Sequence, residues 1–163
     1  MTAPVVQSIC LCFLITFVST QTCYDNKWFT IRSLSTGLAV DGRDPAAIML
    51  KNFDGSIYQQ WKFEIGYESG SYYVMNRASG NVLDMHADEK YVTTTPLDCP
   101  GYDQIWCVFG DGRFAYWHGG NLMAENDYVV DGARLGISAN INATITQAFV
   151  VEEYLCAELE FNV

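Results

Sequence analysis

Histidine is scarce in this chain, positive charge is low, and no long apolar run occurs after residue 20. The two histidines, His86 and His118, stand in a sequence without a CxxC, so metal-ligand spacing is missing and no metal site is expected. A nucleophile elbow and a phosphate-binding glycine loop are also missing, which leaves no signature of catalysis and no expected cofactor. Lys and Arg together number 9 against 19 Asp and Glu, giving a net charge of −10. A surface of that sign repels phosphate backbones and sulfated polyanions, so nucleic acid is not an expected partner. Without a stretch of about 20 apolar residues, no membrane-spanning helix is expected either.

What is present begins at the N-terminus. Residues 9–18, ICLCFLITFV, form an uncharged apolar run of signal-peptide length, too short to span a bilayer. Val18, Ser19 and Thr20 offer modest side chains for cleavage, which predicts a signal peptide over residues 1–20 and a secreted, extracellular domain over 21–163. Cys10 and Cys12 leave with the signal peptide, and Cys23, Cys99, Cys107 and Cys156 remain. An even set in an oxidising compartment implies disulfides, and four cysteines allow three connectivities. The preferred pairing joins Cys23 to Cys156 and Cys99 to Cys107. The first bridge would tie the chain ends together and remove about 4–5 kcal/mol of unfolded-state entropy. Asn142-Ala143-Thr144 is the one N-glycosylation sequon, and export predicts its occupation at Asn142.

The rest of the chain repeats itself. Gly37, Gly80 and Gly120 recur about every forty residues, and Gln59, Gln104 and Gln147 keep nearly the same interval. The units run over about 28–66, 70–110 and 113–154. Each carries short apolar or aromatic segments separated by turn residues, with no sustained helical period. Strands are predicted at 28–32, 38–41, 47–50 and 61–65, then at 72–75, 82–85, 91–94 and 106–109. The third unit adds 114–117, 122–124, 135–137 and 149–151. Ser35-Thr36-Gly37, Ala78-Ser79-Gly80 and Gly119-Gly120-Asn121 supply the positive φ of tight hairpins, as do Asp54-Gly55, Asp111-Gly112 and Asp131-Gly132. One such unit cannot bury its apolar face alone, whereas three around a pseudo-threefold axis share a core and leave few exposed edges.

Near each repeat end stands a glutamine, one residue, then an aromatic: Gln59-Gln60-Trp61, Gln104-Ile105-Trp106 and the degenerate Gln147-Ala148-Phe149. This spaced QxW triplet, each member preceded by its glycine, resembles the ricin B-chain lectin family of β-trefoils over about residues 28–154. The resemblance implies that Trp61, Trp106 and Phe149 fill the shared core and that the glutamines order the preceding loops. It also implies a sugar-binding aspartate four residues past each glycine, an aromatic platform on the third strand and an asparagine before the QxW glutamine. A carboxylate accepts bonds from neighbouring hydroxyls while a ring covers the apolar face of a pyranose.

Asp41 and Asp84 occupy the aspartate position, and Ala124, beside Glu125, replaces it in the third repeat. Tyr58, Asp103 and Thr146 stand where asparagine is expected, and Lys51, Leu97 and Gly136 fall near the platform. Phe53, Tyr58 and Tyr102 are candidate substitute rings. The candidate carbohydrate-binding residues are therefore Asp41, Tyr58 and Gln59 in the first repeat and Asp84, Asp103 and Gln104 in the second. Capping of turns by Asp41 and Asp84 is the alternative role for these aspartates. The expected function is a non-enzymatic secreted lectin with one or two weak sites for galactose-like or related glycans. The alternative is a trefoil that has lost sugar binding and acts as a protein-interaction or toxin-like module, its variable loops forming the contact surface.

Overall fold

A computed structural model describes residues 27–85, 91–98, 101–110, 112–116, 120–124, 128–138 and 148–153. Residues 1–20, expected to be a signal peptide, and Cys23, Cys99, Cys156, Asn142, Thr146 and Gln147 lie outside them. The described chain is all β apart from two short 3-10 turns at Ile57–Gln59 and Tyr102–Gln104. The first repeat contributes β1 (Phe29–Ser33), β2 (Ala39–Asp41), β3 (Met49–Lys51) and β4 (Trp61–Ile65). The second contributes β5 (Ser71–Asn76), β6 (Val82–Asp84), β7 (Thr93–Thr95) and β8 (Trp106–Val108). The third contributes β9 (Phe114–Tyr116), β10 (Asn121–Ala124), β11 (Leu135–Ser138) and β12 (Phe149–Glu153).

All neighbours pair antiparallel. The first and last strands of the repeats make a barrel: β1 pairs β4, β4 pairs β5, β5 pairs β8 and β8 pairs β9. An isolated bridge between Arg113 and Ala148 links β9 to the start of β12. Strand β12 then runs along the whole of β1, from Phe29 opposite Glu153 to Ser33 opposite Phe149, and closes the ring. This closure is what the repeat pattern requires, because it removes the open edges that a single unit would expose. The inner strands form three hairpins, β2–β3, β6–β7 and β10–β11, that cap one end.

Those caps meet on the pseudo-threefold axis through a closed cycle of backbone hydrogen bonds. The Ile48 N–H donates to the Val92 carbonyl at 3.0 Å, Val92 to Leu135 at 2.9 Å and Leu135 back to Ile48 at 2.8 Å. All three side chains are fully buried, so the cycle satisfies polar groups that water cannot reach. It also moves two strand boundaries from their expected places. Strand β3 starts at Met49 rather than at residue 47 because the Ile48 backbone is engaged with the next repeat. Strand β7 starts at Thr93 rather than at residue 91 because Val92 holds the corresponding place in the cycle.

Trp61, Trp106 and Phe149 lie in one core cluster with at most 2% of their surfaces exposed. The indole N–H of Trp61 donates to the Val40 carbonyl at 2.9 Å, and that of Trp106 to Leu83 at 3.0 Å. Each buried tryptophan thus ties a barrel strand to the second strand of its own repeat. Phe29 and Phe63 from the first repeat meet Phe114 and Phe149 from the third in a chain of rings with centroids 5.7–6.1 Å apart.

Candidate functional site

The hairpin turn before β2 places the first aspartate. Gly37 takes φ 73° and its N–H returns to the Ser33 carbonyl at 2.8 Å; Gly80 repeats this with φ 71° and a 2.9 Å bond to Asn76. Strands β2 and β6 follow these turns and end on Asp41 and Asp84, each only 3% exposed. Buried carboxylates need partners, and the QxW glutamines supply them. Gln59 Nε2 donates to Asp41 Oδ2 at 3.1 Å and to the Asn52 carbonyl at 2.9 Å, while its Oε1 accepts from the Asp54 N–H at 2.9 Å. Gln104 makes the matching set with Asp84 Oδ2 at 3.1 Å, the Pro96 carbonyl at 2.9 Å and the Asp98 N–H at 2.9 Å.

Asp41 also accepts from the Arg43 N–H at 2.8 Å through Oδ1. It therefore caps a turn, the alternative role considered from sequence, and also lines a cleft. The cleft holds about 160 Å³ and is lined by Asp41, Arg43, Asp44, Ala47, Met49 and Lys51. The Arg43 guanidinium bridges its rim, 2.9 Å from Asp54 Oδ2, 3.3 Å from Ser56 Oγ and 3.7 Å from Asp41 Oδ2. Its planar end lies over the Tyr58 ring, 5.1 Å from the centroid. The Ser56 hydroxyl and N–H, and then Arg43, hold the Asp54 carboxyl below its ordinary range; the bond to Asp54 in turn raises Arg43.

In the second repeat, Asp84 Oδ2 also accepts from the Thr95 hydroxyl, which in turn accepts from Gln104 Nε2 at 2.8 Å. Asp103 stands at the expected asparagine position, and its Oδ1 accepts the Tyr116 hydroxyl at 2.5 Å. This fixes the 3-10 turn before Gln104 to strand β9 of the next repeat. Burial, followed by the neighbouring carboxylates Asp103 and Asp84, pushes the Tyr116 phenol well above its ordinary range. Residues 86–90, which follow Asp84, lie outside the described residues.

The third repeat presents no carboxylate at the equivalent place: Ala124 is fully buried there. The platform positions divide. Lys51 lines the Asp41 cleft, Leu97 is 37% exposed, and Gly136 is buried and bridged to Tyr91. Of the substitute rings, Tyr58 reaches the first site through Arg43. Phe53 lies under the Arg32 guanidinium at 4.9 Å and lines a different groove with Glu152 and Glu153. Tyr102 packs edge-on against Tyr67 at 6.5 Å. Arg43, Thr95 and Tyr116 had no place among the candidates read from sequence. Only Thr95 could have been found, as the residue facing β6 two positions beyond Asp84's partner Thr93. Among the described residues Cys107 is half-buried and has no disulfide partner, and burial raises its thiol; its expected partner Cys99 lies outside the described residues. Among the described residues, no group of three or more His, Cys, Asp or Glu side chains could hold a metal ion, and no helix is long and apolar enough to cross a membrane.

A closed barrel capped by three hairpins, with QxW aromatics inside and glutamines clamping buried aspartates, is a β-trefoil. No family model matches the sequence and no curated protein matches it. Solved structures do match the fold. The designed threefold-symmetric protein ThreeFoil is 23% identical with a TM-score of 0.68, covering 78% of this chain and 99% of that one. The C-terminal half of the earthworm R-type lectin, solved with GalNAc, is 20% identical with a TM-score of 0.61 over 78% and 99%. The ricin B-like lectin of Macrolepiota procera, solved with lactose, is 16% identical with a TM-score of 0.63 over 77% and 94%.

Proposed function

We propose that this protein is a secreted, non-enzymatic lectin that binds galactose-like or related glycans through its first two repeats. The observation that carries this reading is the duplicated pair of a buried aspartate and a clamping glutamine, Asp41 with Gln59 and Asp84 with Gln104. A carboxylate fixed in this way is preorganised to accept sugar hydroxyls on its remaining lone pairs. The similar folds that hold GalNAc and lactose support the same ligand class. Single shallow sites of this kind bind weakly, and avidity comes from more than one site. In this reading residues 1–20 direct export, the mature cysteines pair by disulfides, and Asn142 carries a glycan. A glycan array on the mature protein, run beside folded Asp41→Ala and Asp84→Ala variants, tests it. Loss of signal in one variant assigns the working site, and a flat array at millimolar sugar would refute the reading.

A second reading, a protein-binding trefoil without sugar affinity, is favoured by two features: the Arg43 guanidinium lies 3.7 Å from Asp41, and Lys51 stands near the platform position. Capture of the same partner before and after enzymatic removal of its glycans would select it.

A further inference from the structure

The two aspartate sites differ at one register position. In the first repeat Asp41 faces Met49 and Ala39 faces Lys51; in the second Asp84 faces Thr93 and Val82 faces Thr95. Lys51 and Thr95 are thus equivalent. Thr95 turns its hydroxyl inward onto Asp84 and Gln104, whereas Lys51 lines the open cleft beside Asp41. Its ammonium reaches the edge formed by the third repeat, where a methyl group added to Gly132 would lie 3.7 Å from Nζ.

The charge at that edge is not consumed. The ion pairs among the described residues use Lys27, Arg32, Arg43 and Lys62, and Lys51 is in none of them. Asp131, beside Gly132 in the adjoining loop, accepts the Asn52 N–H on Oδ1 at 3.1 Å. Asp44, which also lines the cleft, accepts the Ala46 N–H at 3.0 Å. The cleft lining therefore combines a fixed acceptor, Asp41, with two cations: Arg43, already held by Asp54, and Lys51, which is in no ion pair among the described residues.

We infer that the first-repeat cleft selects an acidic monosaccharide, with ring hydroxyls on Asp41 and a sugar carboxylate on Lys51. This rests on the lectin reading above and assigns its ligand class. A neutral sugar leaves the ammonium only hydroxyl oxygens to bind, and a charge-assisted bond is about twice as strong as a neutral one. The ammonium also supplies the attraction that a ring at the platform position would otherwise give.

Galacturonic acid and its methyl ester share one ring and differ in that single charge, so they make the test. Calorimetric or NMR titration of the full mature protein at low salt should give about fivefold to tenfold tighter binding of the acid. Lys51→Thr, which installs the second-repeat residue, should bring the ratio to about one, and added salt should shrink it in the wild type. Asp41→Asn should weaken acid and ester alike. Equal binding of the two by the wild type, or a preference that survives Lys51→Thr, overturns the inference and leaves the lectin reading intact. Failure of the protein to bind any saccharide on the array removes both.

Discussion

Gln104 Nε2 lies 3.1 Å from Asp84 Oδ2, the same separation that holds Gln59 to Asp41 one repeat earlier. Both glutamines are buried and both reach across to the loop after the third strand of their repeat, through Asp98 and Pro96 in one case and Asp54 and Asn52 in the other. The QxW glutamine is therefore a strut between the aspartate and the loop, and the geometry of the site depends on it.

Replacing Gln104 by Leu keeps the volume and removes the strut. It takes one of two donors from the buried Asp84 Oδ2, which keeps the Thr95 hydroxyl, and frees the Pro96 carbonyl and the Asp98 N–H in an exposed loop; an unsatisfied group costs about 1–3 kcal/mol where it is buried. Water reaching the loop satisfies part of this, so a loss of about 2–4 kcal/mol is expected in urea unfolding at neutral pH. A change below about 1 kcal/mol would show that the bonds contribute little.

The fold was largely legible in the sequence because its period is carried by glycines and glutamines that do structural jobs. All twelve strands fall where short apolar segments and turn residues predict them. The boundaries at Ala47 and Tyr91 were not legible, since they depend on backbone bonds between repeats rather than on local pattern. The site divides in the same way. Asp41 and Asp84 were readable from their spacing to Gly37 and Gly80, whereas Arg43 over Tyr58 and Tyr116 on Asp103 are contacts that no local motif announces.

The cycle joining Ile48, Val92 and Leu135 links all three repeats at one point, so none of these amides can exchange without parting the caps. Their hydrogen exchange is expected to fall in the slowest class, near the rate set by global unfolding. The amide of Val130, which bonds only to Tyr128 in an exposed loop, should exchange orders of magnitude faster. Exchange of the three core amides at clearly different rates would mean that the repeats open independently.

Burial of the Tyr116 phenol, and then its bond to Asp103, make stability depend on alkaline pH. The phenol is raised in the folded protein, so near pH 10, where an unfolded tyrosine ionises, the folded state retains more protons. Stability from this bond is fully present below about pH 10 and falls as pH rises above it. Tyr116→Phe should lower stability at neutral pH by about 1–2 kcal/mol. It should also flatten the fall in Tm above pH 10, measured by circular dichroism. An unchanged alkaline slope would place the bond's contribution elsewhere.

Gly80 and Gly112 both have positive φ, at 71° and 86°, yet they should tolerate alanine differently. At Gly80 an added Cβ meets nothing within 4 Å, so the cost is the backbone strain of a left-handed alanine, about 1–2 kcal/mol. At Gly112 the same atom would lie 2.4 Å from the Phe149 carbonyl oxygen, and the Gly112 carbonyl accepts the Phe149 N–H at 2.8 Å. Relieving that clash means pushing β12 away from the β8–β9 turn, against the closure of the barrel. Gly112→Ala should therefore lose about 2 kcal/mol or more beyond Gly80→Ala in matched denaturant titrations. Equal losses would show that β12 can shift freely, which a barrel sealed by β1 and β12 does not allow.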